Sequence, residues 1–432
     1  MECPYGASGQ PPVIGADMLR DHAALTRLRE SGTPEVSLGG RETGWMITRY
    51  EVAAAALVEP ALRGDHPLAV SMRSGADEEA CDEEQLFFLP ADEHRRLRRT
   101  VSRHLTHRRV AALLPRIQRE ADRLLAAVPA GGTVDLVEAF SRPFPVAVLC
   151  ELLGIPEAER RHVRDYVYGW IAEYGEATTV TESAGHALAR YLGGLIEERA
   201  DAPGDDLISA MLRQGGEDAE LLRQDTLAAV RFLLVAGHRP VTRLLNDGLE
   251  LLLEQREHWE ALRSDRGRLD ATIEELLRYV TPTALSSRYA AAPTEVDGAP
   301  LAAGSGAHCA LVAVNRDPAR FEEPDRFDPD RTPYPHLSFG LGHKHCLGAA
   351  LARAEIRIAF DTLLTRFPRM TLGTAGPGTE PERRRLWVVL APTRADDHRS
   401  QDHGRGHEDG RAQAPARGPA PLAGPAPVPV QG

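Results

Sequence analysis

Lysine is nearly missing from this 432-residue chain: of its 51 basic residues only Lys344 is a lysine, the rest being arginine. A skew of that kind fits a GC-rich genome and assigns no function by itself. Cysteine is scarce as well, with five residues at positions 3, 81, 150, 309 and 346 and no paired spacing. That pattern excludes a disulfide framework and a Cys-x-x-Cys zinc site, and it fits a reducing compartment. No apolar run approaches the roughly 20 residues that span a bilayer. The start, Met1-Glu2-Cys3-Pro4-Tyr5-Gly6, has neither the basic nor the apolar region of a signal peptide. A cytoplasmic protein with no membrane partner is expected. Acidic residues number 63 against the 51 basic ones, a net charge of −12, which argues against nucleic acid as a partner. No period of 20–50 residues repeats, so a solenoid is excluded.

What is present reads as mainly helical. Length gives a soft expectation of two or three units of about 150 residues, and a chain this long buries roughly three quarters of its unfolded surface, enough to enclose a large ligand. Residues 394–432 are rich in Pro, Gly and Ala without hydrophobic period, a disordered tail. Residues 1–393 remain as one domain. Helical spacing marks 92–104, 108–128, 157–198, 270–280 and 347–367. The longest helix is expected over 221–255; apolar on nearly every face between Phe232 and Ala236, it should cross the middle of the molecule. Strands are few: 45–48, 307–314 and 386–390.

The most informative stretch is Phe339-Gly340-Leu341-Gly342-His343-Lys344-His345-Cys346-Leu347-Gly348. Three glycines let a tight turn bring the backbone close to a flat object. Cys346 falls at the first turn of the helix expected from 347, whose positive end favours a thiolate. Backbone N–H groups there can donate to the sulfur. A thiolate so placed is a nucleophile or a metal ligand. A lone cysteine is ordinarily a small buried core residue, but its neighbours point elsewhere. Phe-x-x-Gly-x-x-x-Cys-x-Gly, followed by Ala350-Leu351-Ala352-Arg353-Ala354-Glu355, resembles the haem-thiolate loop of the cytochrome P450 family.

The resemblance covers about residues 10–393 and implies a mainly α, single-domain fold of about a dozen helices with small β-sheets. It implies haem b as cofactor and Cys346 as the iron ligand, with Phe339, Gly340 and Gly348 shaping the loop. Glu275-Leu276-Leu277-Arg278 resembles the family's Glu-x-x-Arg motif, in which the two side chains share one helix face. Arg326, in Pro324-Asp325-Arg326-Phe327, matches the third member of that buried network, which holds the scaffold and does no chemistry.

Haem brings two propionates, and buried anions need paired cations. The resemblance assigns His94 and Arg98, four apart on one helix face, Arg288 in Ser286-Ser287-Arg288-Tyr289, and Lys344, where the family usually has His or Arg. Retaining a cation there in the only lysine of the chain argues that the charge is needed. Arg95, Arg96, Arg99, Arg103, Arg108 and Arg109 form a basic run. It is either a solvated face or, as the resemblance implies, the docking face for an acidic ferredoxin or flavodoxin.

The central helix departs from the family. Its Ala236-Gly237-His238-Arg239-Pro240-Val241-Thr242 stands where the pattern is Ala-Gly-x-(Asp/Glu)-Thr. Gly237 is expected to leave room above the haem. Arg239 cannot act as an acid–base relay; Pro240 has no hydroxyl and should kink the helix over the iron. Thr242 points about 200° away from the missing alcohol and is a doubtful substitute. Three oxidative readings follow. Oxygen is activated with protons relayed by substrate or water; or a carboxylate substrate bound by Arg239 is oxidised with hydrogen peroxide, as in the family's peroxygenase branch; or coupling or ring closure proceeds without oxygen insertion. A non-catalytic haem sensor is the rival from another class, and a cysteine hydrolase lacks a His–Asp pairing. In every enzymatic case Arg239 asks for an anionic small-molecule substrate, within the specialised-metabolite class expected of soluble bacterial members. Ala236, Thr283, Ala284 and Leu285 are the expected pocket residues. Residues 63–85 form a variable loop whose acidic stretch, 77–84, reads as solvated surface.

Overall fold

A computed structural model describes residues 11–15, 17–38, 42–64, 91–173, 184–214, 219–332, 335–374 and 385–391. The tail at 394–432 and the acidic stretch at 77–84 lie outside the described residues. Among those described are thirteen α-helices: α1 (His22–Glu30), α2 (Tyr50–Val58), α3 (Ala91–Ser102), α4 (His107–Ala126), α5 (Pro143–Leu153), α6 (Arg160–Glu173), α7 (Ala184–Asp201), α8 (Leu207–Leu212), α9 (Ala219–Glu254), α10 (Arg256–Ser264), α11 (Leu269–Val280), α12 (Leu311–Val314) and α13 (Ala349–Arg366). The strands are β1 (Val13–Ile14), β2 (Glu35–Leu38), β3 (Glu42–Ile47), β4 (Leu62–Arg63), β5 (Gly132–Asp135), β6 (Leu285–Ala290), β7 (Thr294–Val296), β8 (Ala299–Leu301), β9 (Gly306–Ala310), β10 (Thr371–Leu372) and β11 (Trp387–Leu390). They form a six-stranded sheet in the order β1-β2-β3-β9-β6-β4, a three-stranded sheet β10-β11-β5, and the pair β7-β8.

Local sequence explains the elements that frame the site. Helix α4 is capped by Thr106, whose hydroxyl accepts the Arg109 N–H. It buries Val110, Ile117, Ala121 and Leu125 along one stripe. Helix α5 opens on Pro143 and closes on Gly154 at φ 72°, the left-handed turn that glycine adopts without strain. All of it except Glu151 is buried. Helix α9, 36 residues long, packs on α5, α7, α10, α11 and α13, so it does cross the middle of the helical core. Pro240 does not end it; the element runs on to Glu254.

Two expectations shift. The apolar run 307–314 is not one strand. It ends as β9 at Ala310 and turns into the short helix α12, because a buried apolar run has no periodicity to separate the two states. Helix α13 starts at Ala349 with Gly348 as its N-cap. Cys346 therefore stands two residues ahead of the cap and outside the first turn.

Candidate active site

The cysteine loop is built by its glycines. Gly340 and Gly342 sit at φ 68° and 70°, which side chains resist. Gly340 N–H donates to Leu337 O at 2.9 Å, and Cys346 N–H donates to Phe339 O at 2.8 Å. Gly348 has ordinary backbone angles, and no protein atom lies within 4 Å of where its Cβ would be. Its missing side chain leaves open space beside the loop.

Three free cysteines are described. Cys150 and Cys309 are buried, Cys346 is exposed. Burial pushes the first two thiols up to about 12, which leaves them inert. Burial also raises the Cys346 thiol, partly offset by the Gly348 backbone N–H and by the Arg98 and Arg353 charges. An accessible sulfur surrounded closely by protein is a recess, not an outer face. The expected depression by a helix N-terminus is absent, since the cysteine lies outside the helix. A free nucleophile would need the thiolate at neutral pH; a metal in place of the proton would supply it.

Behind the loop lies the Glu-x-x-Arg network. Glu275 and Arg278 are 6% and 2% exposed and form a bidentate pair at 2.7 and 2.8 Å. Arg278 also donates to the carbonyls of Asn315, Pro324 and Arg326 at 2.9, 2.9 and 3.1 Å. The third side chain is not Arg326, which lies 62% exposed and paired with Glu323. Arg331 fills that place instead, its Nε 3.4 Å from Glu275 Oε1 and its side chain 12% exposed. Arg326 contributes only its carbonyl, because the turn at 323–326 sends its side chain outward. The sequence reading also missed Asn315. Fully buried, it donates to Thr281 Oγ1 and Ser338 Oγ and accepts the Leu337 N–H, while Ser338 Oγ donates to Leu277 O. The cysteine loop is thereby tied to the end of α11. That end carries strain: Thr281, β-branched, stands at φ 45°.

The residues assigned to the propionates come from three separate elements. His94 is buried on α3, and Arg98 on the same face donates Nη2 to His345 O at 2.5 Å. Lys344 reaches across Gly64, where a Cβ would meet its Nζ at 2.4 Å. Arg288, on β6 and 6% exposed, donates Nη1 to Ser286 Oγ and Ser287 O. Its Nε has no hydrogen-bond partner among the described residues. Arg288, Lys344, Arg98 and Arg95 all lower the His343 imidazole after burial, so the four charges lie near one another. An accessible sulfur, open space beside Gly348 and a buried guanidinium with an unused donor fit a dianionic haem. Arg96 does not join the basic face: it forms a bidentate pair with Asp225 of α9 at 2.8 and 2.9 Å. Arg95, Arg99, Arg103, Arg108 and Arg109 are exposed.

On α9, Phe232, Ala236, Arg239 and Arg243 recur at helical spacing and form one stripe. Phe232 packs on Leu97 of α3, and Arg243 donates to Pro282 O at 3.2 Å. The stripe thus runs from the helix of His94 and Arg98 to the segment entering β6. Between its ends Arg239 is exposed and makes no hydrogen bond or ion pair among the described residues. Gly237 faces the other way, with a Cβ lying 3.2 Å from both methyls of Leu149 on α5. It is a packing glycine, and the open space expected beside it is not found. His238 is buried and held neutral, burial pulling its imidazole to about 4; its Nδ1 lies 2.6 Å from Leu234 O and its ring 5.9 Å from Tyr168. Thr242 Oγ1 is buried with no partner among the described residues. Of the pocket segment, Thr283 is exposed, whereas Ala284 and Leu285 pack against the small core of Ile14, Leu25 and Met46.

Known proteins agree with this geometry. The Cytochrome P450 family model matches residues 182–395. The cytochrome P450 monooxygenase PikC of Streptomyces venezuelae is 35% identical over 389 residues, 86% of this chain and 91% of that protein. Mycinamicin IV hydroxylase/epoxidase of Micromonospora griseorubida is 36% identical, over 77% of this chain and 84% of its own length. The solved structure of the bacillaene polyketide synthase cytochrome P450 PksS of Bacillus subtilis superposes with a TM-score of 0.76 at 28% identity, covering 90% of this chain and all of that one. The chain belongs to the cytochrome P450 family and is a haem-dependent oxidoreductase of the monooxygenase type.

Proposed function

We propose that residues 1–393 form a monooxygenase domain that oxidises a specialised metabolite carrying an anionic group, with electrons from a ferredoxin in the cytoplasm. The substrate class is supported by relatives named for macrolide-type chemistry, such as mycinamicin IV hydroxylase/epoxidase. Among the described residues no helix is long and apolar enough to cross a membrane. The anionic group is carried by one observation: Arg239 stands on the Phe232–Arg243 stripe of α9, exposed and with no hydrogen bond or ion pair among the described residues. A guanidinium beside apolar walls gains most from a carboxylate or phosphate.

In this reading Cys346 is the thiolate ligand to the iron, and His94, Arg98, Arg288 and Lys344 neutralise the propionates. When bound, the haem supplies oxygen activation and the thiolate its electron push. The protein's residues do the rest. Gly348 N–H donates to the sulfur, Ala236 with its single methyl leaves room for the substrate, and Arg239 orients the substrate by its charge. The exposed Arg95, Arg99, Arg103, Arg108 and Arg109 attract an acidic ferredoxin.

Pro240 favours a second reading. With no hydroxyl there, and with Thr242 Oγ1 buried, protons are moved by the substrate's own carboxylate, and hydrogen peroxide serves as the oxidant. Turnover with peroxide alone, set against turnover with reduced ferredoxin, separates the two. The anion site is tested by Arg239→Leu. Spectral titration of the haem with medium-chain carboxylates should show affinity falling about tenfold to a hundredfold, the worth of one charged hydrogen bond. Methyl esters should bind unchanged. Equal carboxylate affinity in both proteins contradicts the site.

A further inference from the structure

We propose that Arg353, pinned by Glu274 against the ring of Phe339, is a positioning residue that sets the reduction potential of the haem iron from the thiolate side. The inference rests on Cys346 being the iron ligand, as proposed above.

Helix α13 carries Arg353 in its second turn, seven residues after Cys346. Its guanidinium carbon lies 4.4 Å over the Phe339 ring, and the carbonyl of Phe339 accepts the Cys346 N–H at 2.8 Å. The arginine therefore touches the residue that holds the sulfur's own backbone. On its outer side it is fixed fork to fork by Glu274, Nε to Oε1 at 2.6 Å and Nη2 to Oε2 at 2.9 Å. Glu274 comes from α11, next to the buried Glu275 of the Glu-x-x-Arg network. His336 Nε2 stands 3.3 Å from Glu274 Oε2, and its Nδ1 accepts the Ser338 N–H. Burial alone would raise the Glu274 carboxyl, but Arg353 and His336 outweigh it and hold it at about 2. Glu274 is thus ionised at neutral pH.

The two charges are not equivalent seen from the sulfur. Arg353 lies on the loop, whereas Glu274 lies beyond it. A cation near the thiolate stabilises the electron added to the iron, and an anion behind that cation weakens the effect. Removing the cation must lower the potential; removing the anion must raise it. A pair that merely braced the loop would respond in one direction to either loss.

Spectroelectrochemistry on the haem-loaded full chain decides. Arg353→Gln keeps much of the stem over Phe339, and Glu274→Gln keeps an acceptor for Arg353. The expected result is a potential lowered in R353Q and raised in E274Q. Both shifts should exceed those of R357Q and D270N, which break an exposed pair one turn along α13. Shifts of the same sign, or shifts no larger than the controls, overturn the proposal. Ferrous–carbon monoxide spectra of the parent separate the failures: a parent without the red-shifted thiolate band refutes Cys346 as ligand. A parent with that band whose variants do not diverge refutes only the role of Arg353.

Discussion

Arg326 and Arg331 show how little a motif says about which way a side chain points. Both follow the Glu-x-x-Arg helix, and the motif singles out Arg326; yet Arg331 is the one half-buried against Glu275. Arg331→Ala should lower unfolding free energy by about 1–3 kcal/mol, since it strips a hydrogen bond from a buried carboxylate. Arg326→Ala should change it by less than about 0.5 kcal/mol, because its side chain is exposed and its carbonyl stays. Urea titration of the two variants distinguishes them. Glu355 offers a second test at this scale. It is 2% exposed on α13, its Oε2 has no partner among the described residues, and burial raises its carboxyl well above the ordinary value. The folded chain holds this proton at pH values where the unfolded chain has lost it. Its contribution to stability is complete below the ordinary carboxylate range and is lost as pH rises towards the folded value, by about 1.4 kcal/mol per unit. Glu355→Gln should abolish that slope. A variant whose stability still falls with the parent's slope across this range contradicts the assignment.

Elements were legible where periodicity was strong and illegible where geometry depends on partners. The long apolar stretch of α9 and the capped stripe of α4 follow from spacing alone. The end of β9 and the start of α13 do not, because Leu311–Val314 and Leu347–Gly348 are placed by packing and not by propensity. The same holds for the site. Cys346, Gly340, Gly342 and the Glu275–Arg278 pair were readable as a motif. Asn315, Arg331 and the Arg353–Glu274 pair were not, since each reaches its partner across a turn between elements. Asn315 carries the test. It joins α12 to α11 and to the loop before Phe339 through three hydrogen bonds. Asn315→Ala should cost about 2–4 kcal/mol, leaving several buried groups unpaired, and should speed haem loss. Stability within about 0.5 kcal/mol of the parent, measured in urea, would show that the loop does not depend on this tie.

At the scale of the molecule, the fold brings three sources of charge to one place: the helix of His94 and Arg98, the strand of Arg288, and the loop of Lys344 and Cys346. They are separated in sequence by up to 252 positions, 94 to 346, and only the tertiary fold assembles them. Such an arrangement has a purpose if a dianionic macrocycle with a metal centre fills the space between. The most direct test is the absorption spectrum of the reduced, haem-loaded protein under carbon monoxide, recorded for the parent and for Cys346→Ala. The parent should give the red-shifted Soret band of thiolate ligation, and the variant should lose it. A parent without that band, or a Cys346→Ala protein with an unaltered spectrum, would contradict the assignment of the sulfur to the iron.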